Sequence, residues 1–332
     1  MRLLRYGFSG LVFVLLALLG VGFYLLNQRP EPPATVDLPV VQSPSVQALF
    51  LGTSSMAWTD GQHTWMLDGF FSRQAINQVL FTALNVDRDQ VLAVSQEVFK
   101  RLQVPARLDG VWVAHSHYDH ALDAPFLVEQ FGGVLYGSES TRQIALGQGV
   151  AESKTVTLDH NATHSLGAFQ VQALVSAHAP TGFTGGFNQS PVTLPAHALS
   201  FKEGVSYTFV VSHAGRPLAL IQPSAGFVPD QNRDIEVGAV FLGAGGLGKQ
   251  TDAYLQDYWH EMVTQTKAKQ VYLIHWDDFT KPLMAHGQVV PSVAMPVLLD
   301  DFPSTHARLG SLAKRDGVEL IVLNAWQQVT FQ

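Results

Sequence analysis

The sequence predicts a layered α/β sandwich behind one N-terminal transmembrane helix, and three observations lead there. From about Val46 onward, short apolar runs of strand length recur between glycine-containing turns. Helix-patterned stretches are interspersed among them, and the clearest leads straight into a buried-type strand. Ahead of this region, residues 7–26 run without a single charge.

The elements follow in order. Ala48 to Leu51 and Thr64 to Leu67 read as strands, the second ending at Asp68-Gly69. Helical patterning covers Ala93 to Leu102. A very apolar strand, Val111 to Ala114, then delivers the chain to His115. Val134 to Tyr136 and Phe169 to Ser176 read as strands, with a helix near Ser140 to Leu146 between them. Tyr207 to Val211 and Leu218 to Gln222 pair as a hairpin around Gly215 and Arg216, and a further strand covers Ala239 to Leu242. Apolar residues at Leu255, Tyr258, Trp259, Met262 and Val263 mark a helix from Asp252 to Lys267, capped by Thr251. It runs into the strand Val271 to Ile274, whose end carries His275. No repeat of fixed period is present.

The uncharged segment is long enough to cross a bilayer, which takes roughly 20 apolar residues. Arg2 and Arg5 precede it, while Arg29 and Glu31 follow, so the positive-inside bias places the N-terminus in the cytoplasm. A cleavable signal peptide is the alternative. Its apolar region usually spans about 7–15 residues and ends in a small-residue site, and no such site stands near Leu25, Leu26 and Asn27. The expected organisation is a cytoplasmic tip (1–6), a single-pass anchor (7–26), a proline-rich linker (27–45) and a folded domain (46–332). That domain then lies outside the cytoplasmic membrane, in the periplasm if the cell is Gram-negative.

Composition narrows the chemistry. Of 332 residues, 47% are hydrophobic and 14% charged, as expected for one globular domain, or at most two, plus an apolar segment. There is no cysteine, so thiolate metal sites, disulfides and a cysteine nucleophile are all excluded. The net charge of -7 argues against nucleic acid as a partner, because phosphate binding needs a positive footprint. The sequence does not speak to the oligomeric state.

One hexapeptide concentrates the chemistry. His115-Ser116-His117-Tyr118-Asp119-His120 packs three imidazoles and a carboxylate together, which no packing requirement demands. On an extended segment, His115 and His117 project to the same side and can reach one ion. Asp119 and His120 follow where the chain turns into a helix, close enough to serve a second ion. Imidazole and carboxylate are the ligands that zinc and similar divalent ions accept when thiolate is absent.

These residues match the H-x-H-x-D-H signature, and the chain resembles the metallo-β-lactamase superfamily. The likeness extends through Leu67-Asp68-Gly69, Ser176-Ala177-His178, Phe241-Leu242-Gly243 and Ile274-His275-Trp276. Within the superfamily it looks most similar to the branch containing L-ascorbate-6-phosphate lactonase and N-acylphosphatidylethanolamine phospholipase D. The resemblance implies a four-layer αββα sandwich with metals at one edge between two sheets. It implies His115, His117 and His178 as ligands of a first metal, and Asp119, His120 and His275 for a second. Asp68 would hydrogen-bond a ligating imidazole and fix its tautomer. The implied cofactor is zinc, one or two ions, with manganese and iron as alternatives.

The chain departs from the family at one place. Where an aspartate usually bridges both metals, Gln222-Pro223-Ser224-Ala225-Gly226 puts Ser224, a weak ligand at best, and Asp230 is the nearest downstream carboxylate. The expected reaction is attack of a metal-acidified water, of pKa about 7, on an ester, lactone or phosphodiester, with Asp119 orienting that water or taking its proton. A small-molecule or lipid-like substrate suits a site tethered beside a membrane. The rival is a membrane-tethered metal-binding or scaffolding protein with impaired catalysis, motivated by Ser224. Non-hydrolytic iron chemistry is a third reading.

The candidates for substrate contact are Tyr118, the aromatic residues Phe183 and Phe187 of a glycine-rich stretch, Trp276 and His286. Gly243, Gly245 and Gly248 satisfy the G-x-G-x-x-G spacing. The helix begins too late for a dinucleotide site, so a tight loop near the metal edge is the better reading.

Overall fold

The computed structural model describes the chain except residues 1–12, 15, 19, 23, 32, 33, 35, 37, 39–45 and 181–184. Its strands in chain order are β1 (Val46–Phe50), β2 (Met56–Thr59), β3 (Thr64–Leu67), β4 (Gly110–Trp112), β5 (Val134–Gly137) and β6 (Thr155–Thr157). After them come β7 (Ala162–Leu166), β8 (Phe169–Ser176), β9 (Ser206–His213), β10 (Arg216–Gln222), β11 (Ala239–Gly243) and β12 (Gln270–Ile274). The last are β13 (Met284–Ala285), β14 (Gln288–Val289), β15 (Glu319–Val322) and β16 (Gln328–Phe331). One seven-stranded sheet has the order β16-β1-β2-β3-β4-β5-β6 and the other β15-β12-β11-β10-β9-β8-β7. Strand β16 closes the first sheet by pairing antiparallel with β1, Val46 opposite Phe331.

The alternation of side chains along the strands divides the interior into three apolar layers. Between the sheets lie Trp58, Trp65, Trp112, Phe169, Phe209 and Phe241. The rings of Trp58 and Trp65 stack at 5.5 Å across β2 and β3. Outside the first sheet, Met66 and Val111 pack on helices α2 (Arg88–Leu102), α4 (Ala124–Phe131) and α5 (Glu139–Gly147), with the short α1 (Ile76–Phe81) ahead of α2 and the short α3 (Tyr118–Ala121) ahead of α4. Outside the second sheet, Leu242 and Leu273 pack on α6 (Asp252–Trp259) and α7 (Phe302–Asp316). The result is the αββα layering that the resemblance implies.

Local chemistry sets the helix ends. Asp87 caps α2 by accepting from Gln90 N at 3.1 Å, so the helix starts five residues before the apolar pattern shows it. Thr251 caps α6 through Tyr254 N at 3.2 Å. The expected continuous α-helix to Lys267 is not formed. After Trp259 the hydrogen bonding widens to a π-helix over His260–Thr264, and Lys267 turns left-handed at φ 58°. Thr251→Ala should cost about 1 kcal/mol by urea denaturation, the usual value of a lost N-cap.

Among the described residues no helix is long and apolar enough to cross a membrane. The expected anchor, 7–26, falls partly outside the described residues. Those described between Phe13 and Leu26 are helical, with Phe13, Val14, Leu16, Leu18, Val21, Tyr24 and Leu25 exposed. The chain beyond touches the domain. Arg29 Nη2 lies 2.6 Å from Asp278 Oδ2, Gln28 O accepts from Val297 N at 3.2 Å, and Leu38 packs against the layer between the sheets.

Candidate metal centre

Three loops at one edge of the two sheets bring the site together. The first follows β4 and carries His115 to His120. Contrary to the extended segment expected, His115 and His117 sit in bends beyond the end of β4, and α3 begins at Tyr118. Their rings still converge, His115 Nε2 lying 2.9 Å from His117 Nδ1. The second loop follows β8 and carries His178. The third follows β12 and carries His275 in a left-handed conformation, φ 54°.

Two groups result: His115, His117 and His178, and beside them Asp119, His120 and His275. Within each, one ligand atom per residue lies within 4.8 Å of the others. The hydrogen bonds settle which ring nitrogens face inward. Asp68 Oδ2 stands 2.9 Å and Ser54 Oγ 3.0 Å from His120 Nδ1, so that nitrogen carries the proton and Nε2 keeps its lone pair. The buried Nε2 has no hydrogen-bond partner. His178 Nδ1 donates to Ala179 O at 2.7 Å, which likewise leaves its Nε2 free to coordinate. Asp119 Oδ2 is 3.5 Å from Nε2 of both His120 and His275.

The electrostatics favour a cation. Burial, reinforced by neighbouring His120, His117 and His178, holds His115 well below the usual imidazole range. His178 is likewise lowered to about 4 by burial and by His117. Burial opposes ionisation of Asp119, but His120, His275 and His117 outweigh it and hold the carboxyl well below its ordinary value. The imidazoles of His115 and His178, held neutral, the free Nε2 of His120 and the ionised Asp119 carboxylate are donors suited to a divalent metal, so these residues fit the ion that the resemblance implies.

Asp68 is held by its surroundings. It is fully buried at φ 57°, and its Oδ1 accepts from Ala114 N at 2.8 Å. The next residue, Gly69, stands at φ 81°, a conformation that side-chain-bearing residues rarely adopt, and a Cβ there would also lie 2.4 Å from Leu127 Cδ1. Asp68→Ala should weaken metal binding about 10–100-fold, the usual effect of losing a ligand's outer partner, as read by competition with a chromogenic chelator.

The site opens on a cavity of about 500 Å3 lined by all six residues of the two groups, by Tyr118 and Ser224, and by apolar side chains including Leu80, Leu199 and Leu299. Tyr118 packs edge-on to Phe70 at 5.9 Å. Ser224 Oγ accepts from Ala179 N at 3.0 Å, which ties it to the His178 loop. Asp230 does not replace the missing carboxylate: it is exposed and paired with Arg233.

Three expected substrate contacts stand outside the cavity lining. Trp276 is fully buried, donates to Leu323 O at 2.6 Å and stacks on Phe302 at 5.0 Å, because the left-handed His275 breaks the alternation of β12 and turns the next side chain into the outer layer with Leu273. His286 is exposed in the turn between β13 and β14, outside the cavity lining. Phe187 is exposed and does not line the cavity either, and Phe183 lies outside the described residues. The glycine loop does reach the site, with Gly245 and Gly246 in the wall. A Cβ at Gly245 would stand 3.0 Å from His275 Nδ1.

Sequence reasoning missed three contributors. Ser54 holds His120. Asp300, buried in the cavity wall, accepts from Gly246 N at 3.0 Å. Arg73, paired with the buried Asp277, lies behind His275. None carries a local signal, since each acquires its role only through distant partners.

No protein-family model and no curated protein matches the chain. Solved structures do. Igni18, a metallo hydrolase from the archaeon Ignicoccus hospitalis, aligns with TM-score 0.52 at 13% identity, covering 87% of this chain and 99% of its own. YhfI from Bacillus subtilis, a metallo-β-lactamase fold protein, gives 0.50 at 13%, covering 86% and 99%. CmlA, a diiron β-hydroxylase from Streptomyces venezuelae, gives 0.50 at 14%, covering 89% of this chain and 55% of its own. At such identities the likeness speaks for architecture alone, and on that level the two seven-stranded sheets, their helical layers and the histidine-bearing edge make this a chain of the metallo-β-lactamase fold.

Proposed function

We propose that the chain is a metal-dependent hydrolase of an ester, lactone or phosphodiester bond in an amphiphilic substrate, held at a membrane by its N-terminal segment. The observation that carries this reading is the pairing of two three-residue ligand groups with a cavity whose remaining wall is largely apolar. His115, His117 and His178 would hold one ion and Asp119, His120 and His275 a second, of zinc or a related divalent metal. Such ions polarise the oxygen under attack and acidify water. Asp119, kept ionised, orients the attacking water and takes its proton at a carboxylate oxygen. Leu80, Leu199, Phe201, Met295 and Leu299 exclude water and pack an acyl chain.

The test is a series of esters of increasing acyl length with metal-loaded protein. Each methylene contributes about 0.8 kcal/mol when buried, so kcat/KM should rise up to about fourfold per methylene until the cavity is full. Chelation should abolish turnover. A flat length profile sinks the amphiphile, and inert protein across the whole panel sinks the hydrolase.

The scaffold reading rests on Ser224, whose hydroxyl holds the Ala179 backbone where a carboxylate would bridge the ions. Elemental analysis of the unmodified protein beside Ser224→Asp separates the two. About two ions per chain in the unmodified protein removes the motive for a scaffold, and the metal's identity exposes any iron chemistry.

A further inference from the structure

We propose that the rim of the metal cavity is itself a membrane-docking surface, so that the cavity opens onto a phospholipid bilayer rather than onto bulk solvent. This rests on the hydrolase reading for its purpose, but not for its observations. Helix α1 buries none of its six residues, yet it presents Leu80 and Phe81, 57% and 78% exposed. Leu199, in a short turn of helix beside the cavity, is 63% exposed, and Val297 and Leu298 add two more exposed apolar side chains. Leu80 and Leu199 line the cavity mouth, and Val297 and Leu298 lie between its lining residues Met295 and Leu299. Contiguous exposed apolar side chains of this kind mark a surface made to be covered.

The N-terminal segment identifies what covers it. The described helical residues from Phe13 to Leu25 expose seven large apolar side chains, which suit lipid. The chain leaves that helix directly onto the rim, where Gln28 O accepts from Val297 N and Arg29 pairs with Asp278, three residues beyond His275. The apolar helix and the apolar mouth therefore share one edge of the domain. Lys249, whose Nζ donates to Leu298 O at 2.8 Å, places a cation at the same rim, where anionic headgroups would lie. A bilayer satisfies all three features.

The chain has no cysteine, so a single introduced one gives a unique spin-label site. Full-length Phe81→Cys, Leu25→Cys and Asp230→Cys, the last at an exposed position away from the cavity, are labelled and reconstituted in vesicles of phosphatidylcholine and phosphatidylglycerol. Label accessibility to oxygen and to a water-soluble nickel chelate is then compared. The label at 81 should become protected from nickel and open to oxygen on reconstitution, as should the label at 25, while the label at 230 stays nickel-accessible. A label at 81 that remains nickel-accessible while 25 is protected overturns the docking surface, and one closed to both nickel and oxygen in vesicles is buried against protein, points to a second copy and overturns it too. If 25 also stays accessible, both tether and docking fail. Ester hydrolysis by unlabelled protein, measured separately, tells failure of docking from failure of the hydrolase reading.

Discussion

His115→Ala is expected to lower hydrolysis at least about a thousandfold and to reduce the bound metal. His115 is 1% exposed and stands at the centre of the cluster, its ring 3.9 Å from that of His120 and 4.6 Å from those of His117 and His178. Burial and its imidazole neighbours keep it neutral, so the substitution removes a lone pair and not a charge. A single preorganised donor at a reacting oxygen is worth about 10²–10³ in kcat, and an inward-facing ligand supports both polarisation and water activation, so the loss should exceed that. His160→Ala, in the exposed turn between β6 and β7, serves as the control for histidine loss as such. Retention of metal and turnover by His115→Ala would mean that these rings do not hold an ion.

Much of this centre was legible because its signal is local. Six consecutive residues deliver four of the ligand candidates, and the other two stand at ends of strands whose apolar runs are plain in the sequence. Strands β3 and β8 appear at the residues read for them, since a buried strand is a short-range pattern. What escaped depends on tertiary context. Strands β2 and β6 are too short to show a period, and β16 is a strand because it finds β1 some 280 residues earlier in the chain. Nothing local foretells the π-turn after Trp259 or the inward turn of Trp276. Residues such as Ser54 and Asp300 look like ordinary loop polar groups until the fold sets them against an imidazole or a cavity wall.

Arg73→Met should destabilise the protein by about 3–5 kcal/mol, the cost of stranding one member of a buried ion pair. Arg73 and Asp277 are 3% and 1% exposed at the side chain, with Nη1 2.8 Å from Oδ2. The pair is built into the site's scaffold: Arg73 Nη2 donates to Leu51 O at 3.1 Å, Asp277 Oδ1 accepts from Thr53 N at 2.6 Å, and Thr53 O accepts from His275 N at 2.5 Å. A Cβ at Gly52 would fall 2.1 Å from Arg73 Nη2, so the guanidinium fills the only space that glycine leaves. Removing it leaves the Asp277 carboxylate uncompensated and loosens the backbone that fixes His275 in its left-handed conformation. The Asp119, His120 and His275 group should therefore lose its ion before the other group does, which stepwise chelation followed by elemental analysis would show. Arg73→Met combined with Asp277→Leu should recover much of the stability in urea, because no buried charge is left alone, yet should not restore the second ion, because Thr53 remains unheld. A double variant that recovers the ion as well would show that the pair contributes stability alone and does not position His275.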